Sequence, residues 1–200
     1  MAADRRLKQY VFGYGSLVCP DDVARTLGRR VKMIYPVSLT GWIRDWSVVI
    51  NNTDAEHRAV RVSEGSLPSY IVVLNVRRPL SSEVPTDPNG VLFEVTDEDL
   101  RKLDEREHHY RRLDVTADVV NAPTDGSIYM YTGLDEHLIT RYVRRVHRPR
   151  RAAATDIVVI PGPYFELVAQ GFAALGPDMH QAYLDSTRPS SLKVIRQPLS

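Results

Sequence analysis

The sequence predicts an α+β fold within a single domain that spans residues 1–200. Segments with strand-like alternation, rich in β-branched and aromatic residues, dominate the first two thirds of the chain. Helical patterns gather towards the end, whereas a doubly wound parallel sheet would alternate strands and helices throughout. A chain of 200 residues is long enough to bury a substantial core in one domain.

Strand signals occur in short runs that are bounded by Gly, Pro, Asn or Asp. The predicted strands are residues 10–14, 46–50, 59–62, 70–76, 90–95, 113–120 and 128–131. Trp42 and Trp46 accompany the second of these strands, and we interpret both as core or interface residues rather than a ligand box.

Two helices have clear signals at their ends. A helix over residues 20–27 is predicted because Pro20 suits its first position and Gly28 suits the position after its last. A second helix covers residues 97–107 and opens with Thr96 as N-cap. Asp99 follows three residues later, which is close to a capping box.

The remaining helical patterns lie in the last third of the chain. They cover residues 135–145, 164–175 and 178–185, and Gly176 and Pro177 separate the last two. Two loops are rich in Pro and Ser, over residues 77–89 and 189–200. The second is predicted to be a loose C-terminal tail, and whether the first is a lid stays open.

Composition argues against several classes of partner. The formal net charge of +1 provides no strong field for nucleic acid or a membrane surface. Cys19 is the only cysteine, which excludes an internal disulfide and a zinc site built from cysteines. No long apolar segment or apolar N-terminal run indicates membrane insertion or secretion. We therefore expect a cytoplasmic protein, monomer or homodimer, with neither nucleic acid nor membrane as partner.

The most informative segment is a glycine-containing turn between a strand and a helix. Its residues are Val11, Phe12, Gly13, Tyr14, Gly15, Ser16 and Leu17. Such a turn exposes successive N–H groups that can hold a carboxylate or another oxyanion. It is neither a dinucleotide fingerprint nor a phosphate loop, and Ser16 does not sit in a nucleophile elbow. The alternative is a turn with no ligand at all.

Glu107 is the best acid/base candidate by position. On the helix over residues 97–107 it lies four residues beyond Leu103 and seven beyond Leu100, so it shares their core-facing stripe. Burial generally raises the pKa of a carboxyl group, as a general base near neutral pH requires. The alternative is a glutamate that turns outward at a frayed helix end into solvent or a salt bridge.

Other chemistry-bearing residues carry weaker signals. His108 and His109 are adjacent, and adjacent residues rarely face one metal, so we predict no metal site there. The basic run over residues 141–151 lacks an aromatic platform and is interpreted as a solvated face. Tyr129 and Tyr131 share one face of their predicted strand.

Two motifs together resemble those of the gamma-glutamylcyclotransferase-like superfamily. The turn over residues 11–17 resembles its tyrosine-glycine-serine substrate loop. The run from Leu103 and Asp104 to Glu107 resembles its leucine-(Asp/Asn)-x-x-glutamate element, in which the glutamate is catalytic. Gly41-Trp42, residues 89–93, residues 128–131 and the closing helices also fit, so the resemblance covers most of the chain.

The resemblance implies a small, mixed and mostly antiparallel β-barrel with flanking helices and a cofactor-free reaction. A gamma-glutamyl compound would release its amine part as its own amino group closes on the side-chain carbonyl, which gives 5-oxoproline. Glu107 would be the acid/base, and residues 11–17 would hold the glutamyl end. Tyr110 and Tyr131 would supply pocket hydroxyls, with Tyr129 as the alternative to Tyr131.

The chain departs from the glutathione-specific branch in two places. Val18-Cys19-Pro20 stands where that branch usually has a tryptophan, and the paired glycines that follow its glutamate are replaced by His108-His109. The substrate is therefore left open among gamma-glutamyl amino acids, peptides and amines. Two rival interpretations remain: a hydrolase or acyl-transfer enzyme on gamma-glutamyl compounds, and a non-catalytic binding module of the same fold.

Overall fold

The computed structural model describes residues 8–52, 68, 70–122, 126–139 and 158–195. Its strands are β1 (Lys8–Gly13), β2 (Ile34–Leu39), β3 (Ile43–Asn51), β4 (Tyr70–Arg77), β5 (Asn89–Val95), β6 (Tyr110–Asp114), β7 (Val119–Val120), β8 (Gly126–Gly133), β9 (Val158–Pro161) and β10 (Val194–Ile195). Its helices are α1 (Pro20–Leu27), α2 (Asp97–Arg106), α3 (Gly162–Ala174) and α4 (Pro177–Ser186).

The described strands form two sheets. The larger has six strands in the order β6-β8-β1-β5-β2-β7, and the smaller has four in the order β10-β9-β4-β3. In the larger sheet β1 lies between β5, which runs antiparallel to it, and β8, which runs parallel. The predicted α+β class, with a mixed and mostly antiparallel sheet and flanking helices, is confirmed.

Helix ends follow the local signals. The side chain of Thr96 accepts a hydrogen bond from the Asp99 N–H, and the Asp99 carboxylate accepts one from the Thr96 N–H, so the capping box of α2 is complete. Helix α1 covers the predicted residues, and Gly28 follows it with a left-handed φ of 74°. The predicted helical pair forms as α3 and α4, with Gly176 between them.

The differences from the sequence prediction concern weak or non-local elements. Strands β2, β9 and β10 were not predicted, since they are short or interrupted by proline and depend on pairing with neighbours. The single strand predicted over residues 113–120 is broken into β6 and β7 by a turn. Residues 135–137 form a 3₁₀ turn and Leu138 bridges Val48, so the predicted helix does not begin there. Some predicted elements lie outside the described residues: the strand over residues 59–62, the remainder of that helix, the basic run over residues 141–151, and residues 196–200 of the tail.

A fully buried arginine joins the second sheet to the closing helices. Arg44 of β3 donates to the Asn89 carbonyl and side chain, the Tyr183 carbonyl, Ser186 Oγ and Thr187 Oγ1. Its guanidinium carbon lies 5.1 Å from the centroid of the Phe172 ring and 4.8 Å from that of Tyr183. Burial lowers the pKa of Arg44 to about 9, which still leaves it a cation at neutral pH.

The loop over residues 77–89 is tied down by an ion-pair network around Glu83. The Glu83 carboxylate accepts two hydrogen bonds from Arg77, at 2.6 and 2.8 Å, and one from Arg188 at 2.7 Å. Arg77 also reaches Asp45 of β3 at 2.8 Å. Within the described part of the chain, no helix is both long and apolar enough to cross a membrane.

The Glu83 network predicts a specific loss of stability in acid. Hydrogen bonds from Arg77 lower the pKa of Glu83 from 4.5 to about 2. The folded state thus favours the charged form, so the stabilisation is complete above about pH 4.5 and is lost as the pH falls towards 2. We expect Glu83→Gln to lower the melting temperature by a few degrees at pH 7 and to match the unchanged protein near pH 2. Thermal unfolding followed by circular dichroism across this pH range measures the difference.

Glu94→Gln is the matched control, because the exposed Glu94 side chain pairs with Lys8 at 3.7 Å in a surface contact of little stabilising effect. It should change the melting temperature little. The expectation would be contradicted if the melting temperatures of Glu83→Gln and the unchanged protein differed as much at pH 2 as at pH 7.

Candidate active site

A cavity opens where the larger sheet meets helices α2 and α3. It encloses about 300 Å³, counted with its open mouth. The lining residues are Tyr14, Gly15, Ser16, Leu17, Leu74, Glu107, Tyr110, Tyr131 and Tyr164. The cavity thus brings the glycine turn and Glu107, some ninety residues apart in sequence, to a single opening.

The glycine turn continues β1 directly into a short 3₁₀ turn, Ser16–Val18, and then into α1. Neither Gly13 nor Gly15 has the left-handed φ that favours glycine. The lack of room for a side chain is therefore what favours glycine at both positions. A β-carbon on Gly13 would lie 2.7 Å from the Leu17 carbonyl oxygen, and one on Gly15 would lie 2.9 Å from Tyr164 Oη. The two glycines let the chain fold tightly on itself and let Tyr164 approach the turn.

Glu107 is the C-cap residue of α2 and is buried, with 8% of its surface exposed. Its N–H donates to the Leu103 carbonyl at 2.8 Å, so Glu107 keeps the helical spacing from Leu103 that the sequence predicts, although the helix itself ends one residue earlier, at Arg106. Its Oε1 is buried and has no hydrogen-bond partner among the residues that the structure describes, although Arg106 Nε lies 3.2 Å away in an ion-pair contact. The contact lacks hydrogen-bond geometry, so this oxygen keeps its accepting capacity.

Three tyrosines form much of the wall, and their hydroxyls are already engaged with the protein. Tyr14 Oη donates to the Tyr131 carbonyl at 2.7 Å, Tyr131 Oη donates to Asp104 at 2.8 Å, and Tyr110 Oη donates to the Leu74 carbonyl at 2.8 Å. Burial raises the pKa of Tyr14, and burial with the Asp104 carboxylate raises that of Tyr131. Both hydroxyls are therefore neutral at physiological pH.

The predicted site residues divide into two groups. Tyr14, Gly15, Ser16, Leu17, Glu107, Tyr110 and Tyr131 line the cavity. Val11, Phe12 and Gly13 do not, since they belong to β1, where Val11 and Phe12 are wholly buried and pair with β5. Tyr129 lies outside the lining, and its ring packs against the Arg112 guanidinium at 5.2 Å.

Two lining residues were missed by the sequence analysis. Leu74 sits in a predicted strand but carries no signal that separates it from its apolar neighbours. Tyr164 opens the predicted helical pair, and its ring packs edge-on against Trp46 with centroids 6.2 Å apart. Neither position belongs to a motif, so only the packing of distant elements reveals them.

The histidines next to Glu107 form a ring cluster. His108 and His109 have centroids 4.0 Å apart, and His137 lies 4.8 Å from His109. Among the residues that the structure describes, no three His, Cys, Asp or Glu side chains are arranged to share a metal ion.

A family model described as gamma-glutamyl cyclotransferase, AIG2-like, matches residues 11–144 of this chain. That range contains both the glycine turn and Glu107, and ends before α3. The family that the sequence resembles is thereby confirmed. No curated protein sequence matches this chain.

Solved structures resemble this chain at low sequence identity. One, described as gamma-glutamyl cyclotransferase, is 15% identical with a TM-score of 0.56, and the match covers 92% of this chain and 90% of that one. A yeast gamma-glutamyl cyclotransferase specific to glutathione is 14% identical with a TM-score of 0.45, over 90% of this chain and 97% of that one. At such identity the first likeness establishes the fold.

The two glycines of the turn should respond differently to alanine. Gly13→Ala places a β-carbon against backbone that cannot move freely, at 2.7 Å from the Leu17 carbonyl. We expect this overpacking to lower the free energy of unfolding by about 1–3 kcal/mol. The melting temperature should therefore fall by roughly 2–10 °C. Gly15→Ala meets only the end of the Tyr164 side chain, at 2.9 Å, so it should disturb the cavity more than the stability. Thermal unfolding of both variants provides the comparison, and equal losses would contradict it.

Cys19 should be unreactive in the folded protein despite its place beside the turn. The side chain is buried, and its Sγ lies 3.4 Å from the Leu167 carbonyl oxygen. Burial raises its pKa to about 11, which leaves little thiolate near neutral pH. We expect iodoacetamide at pH 8 to modify the native protein at least about 100-fold more slowly than the denatured protein. Because Cys19 is the only cysteine, intact-mass spectrometry reports it alone, and similar rates would show an accessible thiol.

Proposed function

Because this chain belongs to the gamma-glutamyl cyclotransferase, AIG2-like family, we propose that it is a cofactor-free gamma-glutamylcyclotransferase. It converts a gamma-glutamyl amino acid, peptide or amine into 5-oxoproline and the free amine. One observation carries the proposal: Glu107, whose buried Oε1 accepts no hydrogen bond from the described residues, lines the same cavity as the turn residues Tyr14–Leu17.

The reaction requires no nucleophile from the protein. The α-amino group of the substrate attacks the carbonyl of its own side chain, the carbon–nitrogen bond to the leaving amine breaks, and a five-membered lactam forms. Intramolecular attack of this kind reaches effective molarities of about 10⁵ M or more when the reacting atoms are held close. The cavity therefore has to hold the glutamyl group in a bent conformation, and no serine or cysteine needs to be activated. The protonated thiol of Cys19 is consistent with this mechanism.

Glu107 can carry both proton transfers. Its carboxylate takes a proton from the substrate ammonium, which frees the lone pair for attack, and the resulting carboxylic acid returns a proton to the leaving nitrogen. Oε1 accepts no hydrogen bond from the described protein residues, so its accepting capacity is unused before a substrate binds. General acid–base catalysis by one group is worth about 10²–10⁴-fold in rate.

The glycine turn supplies the complementary donors. The first N–H groups of any helical turn lack an acceptor within that turn, and Ser16–Val18 begins at the cavity wall. We assign these N–H groups to the substrate carboxylate or to the oxyanion that develops on the attacked carbonyl. Loss of one oxyanion donor costs about 10²–10³ in kcat.

The tyrosine wall shapes the space around these groups. The hydroxyls of Tyr110 and Tyr131 are held by Leu74 and Asp104, so both rings are fixed in place. A rigid aromatic wall favours the bent conformation in which the amine faces the side-chain carbonyl. We assign Tyr110 and Tyr131 to substrate positioning, together with the ring of Tyr14.

Glu107→Gln tests the assignment of the acid/base. The substitution keeps the size of the side chain and removes its ability to take a proton, so kcat for 5-oxoproline formation should fall by roughly 10²–10⁴-fold while substrate binding persists. Glu105→Gln is the matched control, since Glu105 lies on the same helix with an exposed side chain. Near-normal turnover by Glu107→Gln would contradict the assignment.

The wild-type protein assayed on a panel of gamma-glutamyl amino acids, peptides and amines tests the reaction itself. Release of 5-oxoproline, measured by chromatography with mass detection, supports the cyclotransferase. Release of free glutamate instead would support a hydrolase. Binding without either product would support a module that has lost turnover.

A further inference from the structure

Arg106 occupies the space between helix α1, the glycine turn and Glu107. Its Nη1 donates to Thr26 Oγ1 at 3.0 Å and its Nη2 donates to Ser16 Oγ at 2.9 Å. The same guanidinium lies 3.5 Å from Asp22 and presents Nε to Glu107 Oε1 at 3.2 Å. One planar group thus touches both halves of the proposed catalytic centre.

The contacts to α1 fix the guanidinium before any substrate arrives. Arg106 is the last residue of α2, and only 19% of its side chain is exposed. Thr26 and Asp22 belong to a different helix, so the arginine links α1 to α2 through hydrogen bonds and opposite charge. A guanidinium held at several points loses little further freedom when it contacts a reacting group.

The contact to Ser16 determines where the serine hydroxyl points. A hydroxyl oxygen that accepts a hydrogen bond from a guanidinium retains its own proton for another acceptor. Ser16 is 6% exposed and lines the cavity, so that proton is available to an oxygen of the bound substrate. The neighbouring positive charge also strengthens a hydroxyl as donor in a site of low dielectric.

The contact to Glu107 restrains the carboxylate without occupying its oxygen. Nε approaches Oε1 in an ion pair that does not satisfy hydrogen-bond geometry. The cation therefore holds the carboxylate on the cavity side of α2, while the hydrogen-bonding capacity of Oε1 stays unused among the described residues. An attractive charge within 4 Å of a largely buried carboxylate constrains its rotamers far more than it would at a solvated surface.

We propose that Arg106 is a positioning residue that orients both Ser16 and Glu107 towards the substrate. The inference rests on the proposed cyclotransferase function and goes beyond it by joining the turn and the carboxylate into one coupled unit. Arg106 acts through these two side chains and does not itself bind the substrate.

Kinetics of Arg106→Met and Arg106→Lys separate this role from substrate binding. Loss of orientation should lower kcat about 30-fold or more in Arg106→Met, with KM changed less than about threefold. Arg106→Lys should recover only part of the rate, because an ammonium cannot contact Ser16 and Glu107 with a planar fork. A large rise in KM at unchanged kcat would overturn the proposal and make Arg106 an anchor for a substrate carboxylate.

Arg101→Met is the matched control, because Arg101 lies on the same helix with a 65% exposed side chain that pairs with Glu105. Its kcat should stay within about twofold of wild type. The Ser16→Ala and Arg106→Met variants and their double variant complete the comparison. If Arg106 acts through Ser16, the double variant should be at least fivefold more active than the product of the single effects predicts. Independent effects that simply multiply would overturn the coupling.

Crystal structures of the wild type and of Arg106→Met provide a readout that needs no turnover. We expect Ser16 Oγ and the Glu107 carboxylate to adopt new rotamers in the variant, while helices α1 and α2 keep their places. Unchanged side chains would overturn the inference whether or not the protein forms 5-oxoproline. A wild type that forms no 5-oxoproline, but whose Ser16 and Glu107 move on substitution of Arg106, would reject the function and retain the positioning role.

Discussion

The site depends on the pairing of β1 with two neighbours that run in opposite directions. Val11 lies opposite Phe93 of the antiparallel β5 and beside Tyr129 of the parallel β8. Strand β5 leads into α2 and its C-cap Glu107, while β8 carries Tyr131 to the same end of the sheet. A slip of one residue in β1 would turn its buried side chains to the other face, so register in the core fixes the distance between turn and carboxylate.

Local signals in the sequence predicted much of this arrangement. Thr96 and Asp99 specify where α2 begins, and the spacing from Leu103 places Glu107 on the buried side. What the sequence could not show is set by contacts between distant segments. Tyr164 reaches the turn because it packs against Trp46, and Arg106 looks like any surface arginine until α1 is placed beside it. The short strands β9 and β10 likewise depend on partners rather than on propensity.

Arg44 joins strand β3 to strand β5 and to the closing helices. It is buried with carbonyl, hydroxyl and amide acceptors and two aromatic rings, and the described ion pairs give it no carboxylate partner. Its hydrogen bonds join β3 to β5 and to the end of α4, so the closing helices are attached to the strand that precedes α2. The two arginines thus differ in their surroundings. Arg44 connects secondary-structure elements in the interior, whereas Arg106 contacts residues that line the cavity.

The residues that line the cavity come from two separate parts of the chain, and Tyr164 belongs to the second of them. This tyrosine belongs to α3, beyond residues 11–144 that match the family model, yet its hydroxyl limits the room above Gly15. Glu107 and the glycine turn are therefore encoded in one stretch of the chain, and part of the enclosing wall in another. Grafting the closing helices from one family member onto another would therefore change this part of the cavity wall while leaving Glu107 and the glycine turn unaltered.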